Sequence, residues 1–119
     1  IITTDVNVLS FEEIKLKFDL AMKRSFKIFG RHSFRKSYGE NRRTSINKAL
    51  FETWGVILAN LNDEEFKLLQ KNHIKFKKEY KPIITDYSFQ LTISRDSMKT
   101  TSVKNRFEQF LTLVKTVIQ

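Results

Sequence analysis

Between Arg31 and Arg43 lie four of the chain's seven arginines, with Lys36 among them and two aromatics, Phe34 and Tyr38, interleaved. A guanidinium presents paired N–H donors that match two phosphate oxygens, and an aromatic ring offers a stacking face to a splayed base. This residue set points to contact with a polyanion. Asn47 and Lys48 stand near the start of the next helix, where free backbone N–H groups attract anions. The candidate phosphate-binding residues are therefore Arg31, Arg35, Lys36, Arg42, Arg43 and Lys48. A competing reading makes the arginines structural, paired with Asp19, Glu40 or Glu52, and has Phe34 plugging the core.

Residues that could run a reaction are harder to find. His32 and His73 are the only histidines, and there is no cysteine. A zinc site would need both histidines plus carboxylates, at no ligand spacing the sequence supports. His73 falls on an apolar stripe and reads as a packed core or boundary residue. His32, set in the basic stretch, suits a phosphate contact better than a base. Asp63, Glu64 and Glu65 resemble paired carboxylates, but they occupy a helical first turn, where capping explains them. No nucleophile, base and orienting partner stand at workable spacing. The expectation is a noncatalytic chain with no cofactor and no metal.

The chain has 119 residues, 40% hydrophobic and 29% charged, and eleven Phe residues supply bulky core material. Three Gly and one Pro leave little turn material for a many-stranded sheet. The formal charge is +9, and the excess is greatest over residues 31–61, with six Lys and Arg against two Asp and Glu. Nucleic acid, DNA or RNA, is the partner such an excess suggests; a solvated basic surface is the commoner alternative. No apolar run is long enough to cross a membrane, and no signal peptide is evident. With cysteine absent, the expected setting is cytoplasmic. The chain starts IITTDV, without Met, so it is expected to be a C-terminal fragment of a longer protein, folding as one helical domain over 1–119.

These residues need elements to hold them. Residues 1–9 read as an extended lead-in. Ser10 with Glu13 forms a capping box that opens a helix over about 11–29, with Ile14, Phe18, Ala21, Ser25 and Phe29 as its stripe and Gly30 as its stop. A loop over 31–44 follows, long enough to be functional. Thr44 or Ser45 then caps a helix over about 45–61, whose stripe Ile46, Ala49, Leu50, Thr53, Trp54, Ile57, Leu58 and Leu61 marks the likeliest core. Asn62 with Glu65 opens a third helix, striped by Phe66, Leu69, His73, Phe76 and Tyr80, and Pro82 should end it near Lys81. Asp86 caps a short helix over Tyr87–Ile93, which we favour over a strand because no partner strand is apparent. Thr101 or Ser102 caps the last helix, with Val103, Phe107, Phe110, Val114 and Val117 buried. The expected fold is all-α: an irregular bundle of four main helices with a short fifth, centred on Trp54, Leu50, Ile57, Phe18, Phe107 and Phe110.

The order AMKRSFKIFGRHSFRK, RRTSINKALFETWGVILANL and FQLTISRDSMKTTSVKNRFEQFLTLV resembles the C-terminal half of a prokaryotic family. Its members begin with a ParB/sulfiredoxin-like domain, as in the GmrSD modification-dependent restriction endonucleases. The resemblance implies a helical region following a nucleotide-dependent nuclease-like domain, in restriction and phage defence. The DGQQR-type motif of that domain and the His-Asn-His nuclease domain of some relatives are absent from this sequence, so on this reading the fragment is not the enzyme. Arg35, Asn47, Lys48, Phe51 and Arg106 match the family pattern, with no role attached. The function expected is nucleic-acid contact through the basic loop. The alternative is a scaffolding or dimerisation segment that packs on an N-terminal domain of the full-length chain.

Overall fold

The computed structural model describes residues 10–38 and 42–119, so the lead-in expected over 1–9 and the pairing expected for Glu40 lie outside the described residues. Among these, six α-helices occur in the order α1 (Phe11–Phe29), α2 (Lys48–Asn60), α3 (Asp63–Lys71), α4 (His73–Ile84), α5 (Tyr87–Thr92) and α6 (Thr100–Ile118). No strand is present among the described residues, and the fold is all-α.

The core forms around α2. Trp54 is stacked on Phe110 of α6 at 4.3 Å between centroids, with Phe29, Phe76 and Tyr80 ringed about it at 5.2, 5.7 and 5.8 Å. Such pairs contribute about 0.5–1.5 kcal/mol each beyond the area they bury. The predicted stripe of α2 is buried from Ala49 to Leu58, while Ile46 ahead of it is exposed and Leu61 half-buried. Of the six residues expected at the centre, Leu50, Trp54, Ile57 and Phe110 are there. Phe18 is 51% exposed, and Phe107 packs at the margin.

Phe18 misses the core because the first half of α1, Phe11–Asp19, is exposed on every face. In its second half the predicted stripe holds, with Ala21 and Ser25 buried beside Arg24 and Ile28, and Phe29 packed against the core. Ser10 caps α1 with its Oγ accepting from the Glu13 N–H at 3.0 Å, which is the Ser10 half of the expected box. Gly30 ends the helix at φ 59°, but its ψ of −132° lies outside the left-handed helical region and feeds a 3₁₀ turn over Gly30–His32.

Four helix boundaries depart from the sequence reading. Helix α2 begins at Lys48 with Asn47 as its cap, not Thr44 or Ser45, because Ile46 is held extended in an antiparallel bridge with Arg35. The third helix is two helices. Asn72 leaves helical geometry at φ −100°, ψ 27°, and its side chain donates to the Val117 carbonyl at the end of α6 (3.0 Å). Past that break His73 opens α4 on an exposed position, not in the core. Pro82 does not end α4, which runs on to Ile84. The proline is exposed, and Ile84 beyond it is 1% exposed and holds the last turn to the core. Helix α6 starts at Thr100 after Lys99, without a side-chain cap, and Ser102 is buried inside it. The short helix is as expected: Asp86 Oδ2 accepts from the Phe89 N–H at 2.9 Å, and Phe89 and Ile93 are both buried.

Candidate nucleic-acid interface

The basic loop is fixed at both ends by the backbone. The Arg35 N–H donates to His32 O at 3.0 Å, and the Asn47 N–H donates to Phe34 O at 2.8 Å, closing the loop's two limbs against each other. Phe34 sits at φ 59°, a left-handed conformation that costs a non-glycine residue about 1–2 kcal/mol. Its ring offsets that cost by packing edge-on against Phe51 at 5.0 Å, where it is 5% exposed. Phe34 thus plugs the core and is not available to stack on a base. The tie is repeated in side chains: Thr44 N–H donates to Ser37 Oγ at 3.2 Å, and Ser37 Oγ lies 2.7 Å from His32 Nδ1. His32 is buried beside Ser37 rather than presented to solvent.

The six candidate cations divide by position. Arg42, Arg43 and Lys48 are exposed, Lys48 as the first residue of α2. Arg31 is exposed on the 3₁₀ turn, and Lys36 is half-buried. Arg35 turns inward across the loop, and its Nη1 donates to the Thr44 carbonyl. Among the described residues no ion pair joins Arg35, Arg42 or Arg43 to Asp19 or Glu52.

A cleft of about 590 Å³ opens between the loop and α4, with Arg31, Lys77 and Lys81 on its lining. Tyr38 also lines it, with the Lys81 ammonium 5.6 Å from its ring centroid. Lys77 and Lys81 are not among the six candidates read from the sequence. Their spacing of four residues puts them on one exposed face of α4, next to the buried face that carries Phe76 and Tyr80. Tyr80 closes the inner end. Its burial pushes the hydroxyl far above the ordinary tyrosine pKa, and a hydrogen bond from Trp54 Nε1 at 3.4 Å pulls partly back.

Two other arginines are wholly structural. Arg24 is 4% exposed, and its Nη1 donates to the carbonyls of Leu58 (2.7 Å) and Leu61 (2.6 Å), satisfying the C-terminal end of α2. Its Nη2 meets Asp63 Oδ1 at 3.0 Å, in the first turn of α3, while its guanidinium lies 4.9 Å from the Phe66 ring centroid. Arg106 is 2% exposed and donates to Thr53 Oγ1 (3.0 Å), Thr92 O (2.8 Å) and Ser97 O (2.9 Å). Burial lowers its pKa, with Glu52 opposing that shift.

Among the described residues, no group of three or more His, Cys, Asp or Glu is placed to hold a metal ion. No helix is long and apolar enough to cross a membrane. Compared with known protein families, curated proteins and solved structures, the chain matches none.

Proposed function

We propose that this chain is a noncatalytic helical module of a larger prokaryotic, cytoplasmic protein of restriction or phage defence, of the nuclease type its sequence resembles, and that it contributes contact with DNA or RNA through its basic loop. One observation supports this most: the loop is tied at its base while Arg42, Arg43 and Lys48 are left exposed at its far limb and on the adjoining helix. A pre-ordered cationic surface gives up little entropy on meeting a phosphate backbone. Arg35 takes a supporting part, since its guanidinium holds Thr44 across the loop.

The test is salt dependence. Each phosphate contact on duplex DNA adds about 0.9 to the log–log slope of affinity against salt. Replacing Arg42, Arg43 and Lys48 by Ala is expected to flatten that slope by about 2–3 units while the unfolding midpoint stays put. An unchanged slope would move the contact surface elsewhere. Failure of the unaltered chain to bind duplex or single strands at all would remove the reading.

The scaffolding alternative is favoured by a different observation. Helix α1 carries Phe11, Leu16 and Phe26 at 80, 69 and 66% exposure, with Ile14 and Phe18 also more than half exposed. On that reading α1 packs on an N-terminal domain of the same full-length chain.

A further inference from the structure

Helix α1 presents an apolar stripe that the fold leaves uncovered. Phe11, Ile14, Phe18, Met22 and Phe26 recur every three or four residues, so they share one side of the helix. All but the half-buried Met22 are more than half exposed. An apolar groove of about 310 Å³ runs beside the stripe between α1 and α2, with Phe18, Met22, Phe51 and Val56 on its lining. The apolar surface thus continues onto α2, where Val56 is itself exposed. A continuous patch of this kind, rimmed by charge, marks a protein-contact surface.

The rim names the occupant. Along one edge of the stripe stand Glu12, Lys15, Asp19 and Lys23, again three or four residues apart and alternating in sign. All four are exposed, and none has an ion-pair partner among the described residues. Laid antiparallel on a copy of itself about Phe18, α1 sets Glu12 opposite Lys23 of the second copy. It sets Lys15 opposite Asp19 of the second copy, and the two-fold axis repeats both pairs. The same arrangement brings Ile14 to Met22 and Phe11 to Phe26 of the second copy, with the two Phe18 rings at its centre. A parallel pair would instead turn this edge toward the other edge of α1, where Arg24 and Ile28 are already held against α2 and the core. We propose that the chain forms a two-fold dimer by antiparallel pairing of α1 with α1 of a second copy. This claims the α1 surface for a second copy in place of an N-terminal domain. It is independent of the loop surface, since Arg42, Arg43 and Lys48 lie outside α1.

Sedimentation equilibrium of the whole chain, from micromolar to millimolar concentration, tests this. The dimer is expected to form in the upper micromolar range, as small transient interfaces do, so dilute chain leaves α1 free. Phe18→Glu sets two carboxylates at the two-fold axis and is expected to weaken dimerisation at least tenfold. Two charge variants test the register without touching the apolar stripe. Glu12→Lys with Asp19→Lys makes the edge wholly cationic, and Lys15→Glu with Lys23→Glu makes it wholly anionic. All four positions are exposed, so the helical circular dichroism is expected to stay unchanged. Each variant alone is expected to dimerise at least tenfold more weakly, while an equimolar mixture of the two restores a dimer at least as tight as the unaltered one. Three results would overturn the proposal. The first is a chain that stays monomeric at millimolar concentration, which leaves α1 to an N-terminal domain. The second is a dimer indifferent to Phe18→Glu and to both charge variants, and the third is charge variants that do not pair when mixed. The duplex salt slope is read on the loop variant, so failure here and failure of the loop reading are told apart.

Discussion

Arg106 joins three parts of the molecule with one side chain, linking α6 to Thr53 inside α2, to the end of α5 at Thr92, and to Ser97 in the following turn. Lysine cannot replace it, since one ammonium cannot reach those three acceptors together. Hydrogen bonds to a charged group contribute about 1.5–3 kcal/mol, and acceptors left buried without a partner add their own penalty. We expect Arg106→Met and Arg106→Lys each to lower unfolding free energy by about 2–4 kcal/mol in urea titrations. Arg42→Ala should stay within about 0.5 kcal/mol. A loss at Arg106 no larger than that at Arg42 would refute the structural role. The placement had a sequence signal: Arg106 is three residues after Val103 and four before Phe110, and Arg24 stands likewise between Ala21 and Ile28. An arginine at core register is therefore the mark to look for. What it ties to is not legible, because its acceptors are mostly backbone carbonyls that carry no residue identity. Tyr80 gives the second residue-scale prediction. The folded state holds its hydroxyl protonated well above the ordinary value of about 10, so the unfolded chain releases that proton first. The stabilisation is complete below pH 10 and falls as pH rises beyond it, by up to about 1.4 kcal/mol per pH unit. Tyr80→Phe should remove that part of the alkaline slope in denaturation curves taken from pH 9 to 11; an identical slope in both proteins would show that Tyr80 ionises freely.

Helices were legible where local chemistry alone decides them. Ser10, Asn62 and Asp86 each cap as their types predict, and Asn62 with Glu65 forms the complete reciprocal box. The failures came where a distant group intervened. Asn72 breaks the third helix because its amide is drawn to Val117, 45 residues away. Asn47 displaces Thr44 and Ser45 as the α2 cap because the bridge at Ile46 fixes the chain as extended just before it. Its amide also donates to Ile93 O at 2.7 Å, so a cap that looks local fastens α2 to the end of α5. The loop shows the same division. Its length and charge were plain in the sequence, while the burial of Phe34 and the inward turn of Arg35 depend on Phe51 and Thr44 meeting them. Arg35, Asn47, Phe51 and Arg106 are all such fastenings in this structure.

At the scale of the molecule, the distribution of apolar surface is uneven. The core about Trp54 draws rings from α1, α2, α4 and α6, yet most of the large apolar residues of α1 stay outside it. Helix α1 buries Ala21, Arg24, Ser25 and Ile28 in its second half, with Arg24 bound to the α2 carboxyl end, while its first half, Phe11–Asp19, is exposed on every face and Phe18 keeps only a ring contact with Phe51 of α2 at 6.2 Å. Pattern reading located the apolar stripe of α1 but could not foresee that only its second half, about Ala21 and Ser25, would pack into the core. Residues this exposed contribute little to folding, so Phe11→Gln, Leu16→Gln and Phe26→Gln together should leave the melting curve nearly unchanged, each within about 0.5 kcal/mol. They should instead abolish binding of a hydrophobic dye such as ANS by the native chain, because those side chains supply the exposed patch. A variant that unfolds, or one that binds dye as strongly as the unaltered chain, would show that the α1 surface is covered in solution and would take away the scaffolding reading.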